Sequence, residues 1–281
     1  MLYLQDIIIS LQLFWSNNGC ILIQPIDQEV GAGTSHYFTL LHNLNKKYYN
    51  IFYIQQCRRP DDGRFSINLN RMQQYYQIQV LLKPSPNNIQ FKCLESLKNF
   101  FITNENYDIK FFFSNWENST LGAWGIGWEI CCNGMEIIQF TYMQQVGGIN
   151  CNLISGEITY GLERLTMYIQ NKNNVWDIIW SSKGLSYKDL FINQENEFCQ
   201  FNIDLKSNKI LIIHFNNYKN IAIKLIKQKL VYPSYHYCLK AANLFNILDS
   251  RKIFSINERI SYIKQIRRII KLCCITYVKT I

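Results

Sequence analysis

A predicted β-hairpin is the feature that most constrains the fold. Asn133-Gly134 lies between two runs of strand-forming residues, and an Asn-Gly pair is what a two-residue type I′ turn requires. If the turn contains only these two residues, Glu129 pairs with Ile138 across the hairpin. The sequence therefore predicts antiparallel strands at the centre of the chain.

The register of this hairpin decides which side chains share a face. With Glu129 opposite Ile138, Glu129 and Glu136 lie on one face. Two carboxylates there repel each other unless a cation lies between them, so both are candidate Mg²⁺ ligands. Strict alternation puts Gln139 and Thr141 on the opposite face. Only a β-bulge between Glu136 and Gln139 would bring those two residues to the same side.

A second pair of strands is predicted upstream, over residues 49–55 and 73–83. The segment between them contains four arginines and no lysine, which favours planar, bidentate recognition of anions. These arginines are Arg58, Arg59, Arg64 and Arg71. In the second strand Gln77 and Gln79 share one face. Because two buried amides need hydrogen-bond partners, we expect this face to contact a ligand.

Residues 156–170 predict a turn that leads into a helix. Leu162, Leu165 and Ile169 have helical spacing and form an apolar stripe that faces a core. Arg164 lies in the first turn, where backbone N–H groups are unpaired and the helix dipole is positive, so it is a candidate for phosphate binding. The alternative interpretation is a solvent-exposed ion pair with the preceding glutamate.

The C-terminal third is predicted to be helical and is strongly basic. Helical patterns cover 224–230, 234–248 and 255–277. Residues 200–281 contain 15 Lys and Arg against 3 Asp and Glu, whereas the whole chain contains 29 and 20. Such a region is typical of proteins that bind nucleic acid, although an AT-rich coding sequence would also be rich in lysine.

Cysteine usage and hydropathy indicate a cytoplasmic protein. None of the ten cysteines belongs to a C-x-x-C pair, so reduced thiols are expected. The chain contains no apolar run near the ~20 residues that a membrane span needs. The first ten residues lack the basic start and cleavage site of a signal peptide.

Several segments resemble one family closely. Gly-Leu-Glu-Arg at 161–164 is similar to the third signature of class II aminoacyl-tRNA synthetases. Five upstream segments are similar to the alpha subunit of the bacterial tetrameric glycyl-tRNA synthetase. These segments are 30–36, 58–64, 115–118, 121–129 and 139–148.

This resemblance implies an α+β fold. An antiparallel class II sheet flanked by helices would occupy residues 1–170, and a helical C-terminal domain would occupy 171–281. The implied reaction is ATP-dependent activation of glycine to glycyl-adenylate, followed by transfer to the 3′ end of tRNA(Gly), with Mg²⁺ bound to ATP. The segment 30–36 would lie over the active site.

The resemblance also implies partners. No segment of the chain resembles an anticodon reader, and in this family a larger beta subunit supplies one within an α2β2 assembly. The helical pattern at 6–18 and the strand-like run at 20–24 resemble the first class II signature, which forms the dimer interface. We therefore expect an alpha homodimer that binds beta subunits.

Roles for the arginines follow from the same resemblance. Arg59, at the end of a strand, would hold the α-phosphate of ATP and the glycine carboxylate, with Arg58 as the alternate. Arg164 would hold the γ-phosphate. Arg64 and Arg71 lie in the loop that holds the rest of ATP and the tRNA acceptor end in class II enzymes.

The remaining implied residues form the adenine and glycine sites. Gln74 and Ile78 occupy positions where the family has histidine and phenylalanine, and Tyr76 is our choice for stacking on adenine. Glu157 would bind the ammonium group of the substrate. Gln139 and Glu136 would both face the site, which requires the bulge described above. The glycine site comprises Gln77, Trp116, Gln139, Thr141 and Glu157.

Overall fold

An eight-stranded sheet forms the centre of the part of the chain that the computed structural model describes, which is residues 2–101, 107–203 and 208–280. Its order is β1-β2-β3-β8-β6-β5-β4, with β7 beside β6. Only β1 and β2 are parallel. The strands are β1 (Ile21–Leu22), β2 (Tyr49–Arg58), β3 (Gln74–Lys83), β4 (Ile109–Asn118), β5 (Ala123–Cys132), β6 (Met135–Val146), β7 (Ile149–Asn150) and β8 (Gly156–Gly161).

Helices cover one face of this sheet and pack around the margin of the other. They are α1 (Leu4–Asn17), α2 (Tyr37–Leu40), α3 (Ile89–Phe101), α4 (Leu162–Ile169), α5 (Tyr187–Ile203), α6 (Asn208–Lys227), α7 (Val231–Ser250) and α8 (Ile256–Thr280). Trp15 of α1, Cys93 of α3 and Leu165 of α4 share a buried apolar cluster with sheet residues such as Val80 and Phe140. The predicted α+β class is confirmed.

The central hairpin confirms the predicted turn and corrects the predicted register. Asn133 and Gly134 have φ values of 47° and 87°, as a type I′ turn requires. Glu129 pairs with Gln139 rather than with Ile138. The cause is a bulge in β6, where Ile137 has no partner in β5.

This bulge also overturns the expectation from strict alternation. One extra residue in a strand reverses the side to which all later side chains point. Gln139 and Thr141 therefore lie on the same face as Glu129, and Glu136 shares that face with them. The bulge is the feature that the resemblance required.

Other predicted boundaries need smaller corrections. The strand predicted over 20–24 contains only Ile21 and Leu22, because the chain then leaves β2 and enters the loop that precedes α2. The helix predicted over 224–230 is the end of α6, which stops at Lys227 before a left-handed residue at Lys229. The other two predicted C-terminal helices are α7 and α8.

The C-terminal helices share a core with the N-terminal part of the chain. Phe215, Tyr235 and Ile270 from α6, α7 and α8 belong to one buried cluster with Val30 and Leu121 from loops at the end of the sheet. The hydroxyl of Tyr235 also donates to the backbone oxygen of Ser35 at 2.8 Å. The division at residue 170 stays a prediction, and the helical region is packed directly onto loops of the sheet.

Two further features concern the cysteines and the hydropathy of the helices. All ten cysteines are free and buried. Among the described residues, no helix is both long enough and apolar enough to span a membrane.

A buried lysine holds the segment after the loop 30–36 against the sheet. Lys83, at the end of β3, is 1% exposed. Its Nζ donates to the backbone oxygens of His42, Asn43 and Asn45 at 2.5, 3.1 and 2.6 Å. The ammonium group therefore satisfies three carbonyl groups at the end of the short helical segment that contains α2.

Replacing this lysine should destabilise the fold. Lys83→Met removes a charged donor from three carbonyl groups, so we expect a loss of about 2–4 kcal/mol in the free energy of unfolding. Urea unfolding followed by circular dichroism measures it. The matched control is Lys110→Met, since the Lys110 side chain is exposed and its ion pair among the described residues is with Asp108. Equal unfolding midpoints for the two variants would contradict the role of Lys83.

Candidate active site

A cavity of about 330 Å³ lies over the open face of the sheet. Residues from the end of β2, from β3 to β6, from β8 and from the first turn of α4 surround it. It therefore brings together segments that are far apart in the sequence. The lining includes Arg59, Arg71, Tyr75, Gln77, Trp116, Glu129, Glu136, Gln139, Thr159, Glu163 and Arg164.

The two arginines at the end of β2 point to opposite sides. Arg59 lines the cavity, where its Nε donates to the backbone oxygen of Gly31 at 2.9 Å and its guanidinium lies 5.1 Å from the ring centroid of Tyr75. The guanidinium of Arg58 lies over the ring of Phe198 in α5, 4.5 Å from its centroid. Neighbouring strand residues alternate in this way, so only Arg59 enters the cavity.

Arg164 lies in the same cavity. It belongs to the first turn of α4, and its Nη1 is 3.2 Å from Oε2 of Glu136, with 31% and 37% of the two side chains exposed. An ion pair that is partly open to solvent is weak, and a phosphate group can replace the carboxylate. Arg59 and Arg164 can therefore contact one ligand.

The glutamate beside Arg164 is buried, which excludes a solvent-exposed pair. Glu163 is 3% exposed, and its Oε1 accepts hydrogen bonds from the backbone N–H of Tyr76 at 2.8 Å and from the hydroxyl of Tyr187 at 2.9 Å. Burial raises the pKa of its carboxyl to about 7. Glu163 thus joins α4 to β3 and α5. This role is not evident from the sequence, because a glutamate in a first helical turn normally faces solvent.

Only one of the two arginines in the loop between β2 and β3 lines the cavity. Arg71 lines the cavity, its side chain is 60% exposed, and its Nη1 is 3.6 Å from Oδ1 of Asp62. Arg64 lies outside the cavity, where it donates to the backbone oxygens of Asp61 and Gly63. Arg71 is therefore the loop arginine nearest to a bound ligand.

Strand β3 places one of its two tyrosines in the cavity, and it is not the one expected. Tyr75 lines the cavity, whereas Tyr76 points to the opposite face and packs near the rings of Trp180 and Phe191. Tyr76 therefore cannot stack on a base bound in the cavity, and its assignment to the ATP site is wrong. Strand alternation is the reason.

The loop 30–36 covers part of the site, as expected. The backbone N–H of Gly33 donates to Oε1 of Gln77 at 3.0 Å. A Cβ at position 33 would lie 2.4 Å from Oε1 of Gln79, so this close approach requires glycine. Thr34 donates through its hydroxyl to Glu157. The shared face of Gln77 and Gln79 is confirmed.

Glu157 lies beneath this loop with an unsatisfied oxygen. It is 4% exposed; Oε1 accepts from Thr34 and Gln79, and Oε2 has no partner among the described residues. Burial raises the pKa of this carboxyl to about 7. Glu157 pairs with Thr141 of β6 across the strands. Each lies two residues from a cavity-lining residue on the same face of its strand, Thr159 in β8 and Gln139 in β6.

Two carboxylates on the hairpin face the cavity and suit a magnesium ion. Glu129 accepts from the hydroxyl of Ser114 at 3.1 Å, and Glu136 is paired with Arg164. Among the described residues, no cluster of three or more His, Cys, Asp or Glu side chains could hold a metal without help. Mg²⁺ commonly binds one or two carboxylates together with substrate phosphates, so these two residues fit an ion that arrives with a nucleotide.

Comparisons with known proteins show the family of the chain. The chain matches the family model described as "Glycyl-tRNA synthetase alpha subunit" over residues 4–281. The "Glycine–tRNA ligase alpha subunit" of Rickettsia bellii strain OSU 85-389 and that of strain RML369-C are each 45% identical over 279 residues, which is 98% of this chain and 96% of theirs.

Two solved structures of pyrrolysyl-tRNA synthetase from Desulfitobacterium hafniense are also similar. Their TM-scores are 0.46 and 0.42 and their identities 12% and 15%; each comparison covers 66% of this chain and 76% or 75% of the other. The family match and the two relatives extend over almost the whole chain. The chain therefore belongs to the glycyl-tRNA synthetase alpha subunit family.

Proposed function

We propose that this chain is the catalytic subunit of a glycine–tRNA ligase. It activates glycine with ATP to form glycyl-adenylate and transfers the glycyl group to the 3′ end of tRNA(Gly). The observation that carries this proposal is the meeting of Arg59 and Arg164 in one cavity, beside the carboxylates of Glu129 and Glu136. Cations and metal-binding carboxylates are the groups that a nucleoside triphosphate requires.

The protein's task in the first step is to position two anions. The glycine carboxylate attacks the α-phosphorus of ATP in line, and pyrophosphate leaves. Arg59 neutralises the α-phosphate and orients the carboxylate, and Arg164 exchanges its pairing with Glu136 for the γ-phosphate. Mg²⁺ held by Glu129 and Glu136 would offset further phosphate charge. Arg71, at the cavity margin, contacts the outer part of the triphosphate.

Glycine binds between the sheet and the loop 30–36, on the side of Arg59 away from the triphosphate. The unpaired Oε2 of Glu157 accepts the ammonium group, since a buried carboxylate oxygen without a partner is unfavourable until a donor arrives. Gln77, Gln139 and Trp116 enclose the substrate, and Thr141 supports it from the next position along the strand. A small pocket excludes larger amino acids by contact, so no editing domain is needed.

The partners follow from the family and from exposed apolar residues. We propose a cytoplasmic α2β2 enzyme, in which beta subunits bind the anticodon part of the tRNA. The alpha dimer forms through α1 and β1, whose Ile9, Leu13, Ile21 and Leu22 are 51%, 59%, 62% and 48% exposed. Burying such side chains against a second copy is favourable.

Substitution of the adjacent arginines in the assembled enzyme separates their roles. Arg59→Ala should reduce glycine-dependent ATP–pyrophosphate exchange about a hundredfold or more, because it removes a charge that stabilises the transition state. Arg58→Ala should retain exchange within about tenfold, since its guanidinium lies on Phe198 outside the cavity. The reverse order of the two effects would refute the assignment.

Removal of Arg164, which lines the same cavity as Arg59, should reduce exchange as strongly. Arg164→Ala should abolish measurable exchange and raise the KM for ATP, because the γ-phosphate loses its only charged partner in α4. Arg268→Ala is the matched control, as this exposed arginine lies in α8 and should leave exchange unchanged. Normal exchange by the Arg164 variant would remove the main support for the proposed function.

The ammonium site has a distinct pH signature. Glu157→Gln keeps the size of the side chain but removes its charge, so the KM for glycine should rise about tenfold or more while the KM for ATP is unchanged. Burial raises the pKa of Glu157 to about 7, so glycine binding by the wild type should weaken as the pH falls from 8 to 6. The variant should lack this dependence, and the exposed control Glu197→Gln should keep it.

A further inference from the structure

Helix α5 packs against the loop that joins β2 to β3, which covers residues 59–73. The hydroxyl of Ser66 in this loop donates to Oδ1 of Asn196 in α5 at 2.7 Å. A Cβ at Gly63 would lie 2.8 Å from Sγ of Cys199, so the loop backbone approaches the helix closely. The proposed reaction gives no role to any residue of α5.

The backbone of Arg59 is joined to the last residue of this loop. The N–H of Arg59 donates to the backbone oxygen of Gln73 at 2.6 Å. This bond follows directly after the last paired residues of β2 and β3, Arg58 and Gln74, so it closes the base of the loop. Any displacement of Gln73 therefore moves the backbone that carries the guanidinium of Arg59.

Two side chains of α5 hold Gln73 in place. Gln73 is 0% exposed and Glu195 is 4% exposed. The backbone N–H of Gln73 donates to Oε1 of Glu195 at 2.8 Å, and Sγ of Cys199 lies 3.6 Å from the same oxygen. Nδ2 of Asn202 donates to Oε1 of Gln73 at 3.2 Å. The helix therefore binds both the backbone and the side chain of one residue.

The bond between Glu195 and Gln73 depends on an acceptor oxygen rather than on charge. Burial raises the pKa of the Glu195 carboxyl, and the hydrogen bonds from Gln73 and Cys199 oppose that rise. A carboxyl group retains an oxygen that can accept whether or not it is protonated. Without this acceptor the buried N–H of Gln73 would lose its partner, which favours a shift of Gln73 toward another acceptor.

We infer that Glu195 is a positioning residue for Arg59; this inference rests on the proposed function. The carboxyl of Glu195 fixes the N–H of Gln73, and the backbone oxygen of Gln73 fixes the N–H of Arg59. The guanidinium is thereby kept where the α-phosphate of ATP binds. No residue of α5 lines the cavity. Since a misplacement of about 1 Å can cost about a hundredfold in rate, α5 contributes to adenylate formation without contact with substrate.

Substitution of Glu195 in the assembled enzyme tests this role. Glu195→Met removes the acceptor at nearly constant length, so kcat for glycine-dependent ATP–pyrophosphate exchange should fall about tenfold or more. The KM values for glycine and ATP should stay within about threefold of the wild type, since no substrate contact is lost. Glu195→Gln keeps an oxygen that can accept from Gln73 and should restore kcat to within about threefold of the wild type.

A double substitution and a matched control distinguish positioning from general stability. If Glu195 acts through Arg59, adding Glu195→Met to Arg59→Ala should lower the residual exchange less than about twofold. The control is Gln170→Met, because Oε1 of the buried Gln170 accepts from the backbone N–H of Ile179 at 2.7 Å, beyond the C-terminal end of α4. This variant should destabilise the fold and leave kcat within about twofold of the wild type.

The possible results lead to different conclusions. A wild-type enzyme without glycine-dependent exchange would refute the proposed function itself. If the wild type is active, four results would overturn only the role of Glu195. They are a wild-type kcat in Glu195→Met, equal losses of kcat in Glu195→Met and Glu195→Gln, independent losses in the double variant, and an equal loss in Gln170→Met.

A gentler substitution keeps the inference testable if Glu195→Met does not fold. Asn202→Leu removes the other bond from α5 to Gln73, at the side chain instead of the backbone. It should lower kcat for exchange about threefold with both KM values unchanged. An unchanged kcat in this variant would overturn the inference.

Discussion

The bulge at Ile137 is the constraint on which the rest of the site depends. Without it, Glu136 and Gln139 would point to opposite faces of β6, and Glu129 would share its face with only one of them. With it, the hairpin presents carboxylates near its turn and amide and hydroxyl groups toward its centre. The position that breaks the pairing is occupied by a buried isoleucine, which packs among the apolar residues under the sheet. Packing therefore holds the irregularity in place.

Two buried glutamates, Glu157 and Glu163, then hold the segments that surround this face of the sheet. Each costs free energy, and burial raises the pKa of both carboxyls to about 7. Glu163 offsets the cost with hydrogen bonds to β3 and α5, and these bonds anchor the first turn of α4, which carries Arg164. Glu157 offsets only part of the cost, because one oxygen stays unpaired. A satisfied carboxylate suits a structural role, and an unsatisfied one suits substrate binding.

The family resemblance implied that Arg59 and Arg164 contact one ligand, and local signals in the sequence were sufficient for the hairpin turn and the β2–β3 pair. They were not sufficient where the outcome depended on register. Nothing in the residue types around Ile137 indicates a bulge, because a bulge is a property of pairing with another strand. The same limit explains Tyr76, since two adjacent tyrosines carry no local information about which one faces the core. The family resemblance did indicate the bulge, because it required two side chains to share a face.

The helical region is held against the loop that borders the cavity. Helix α7 donates through the hydroxyl of Tyr235 to the backbone oxygen of Ser35. The same loop contacts Glu157 through Thr34 and Arg59 through the backbone oxygen of Gly31. One loop therefore contacts a buried carboxylate, a cavity arginine and α7 together. The packing of the helical region and the shape of the cavity depend on the same residues.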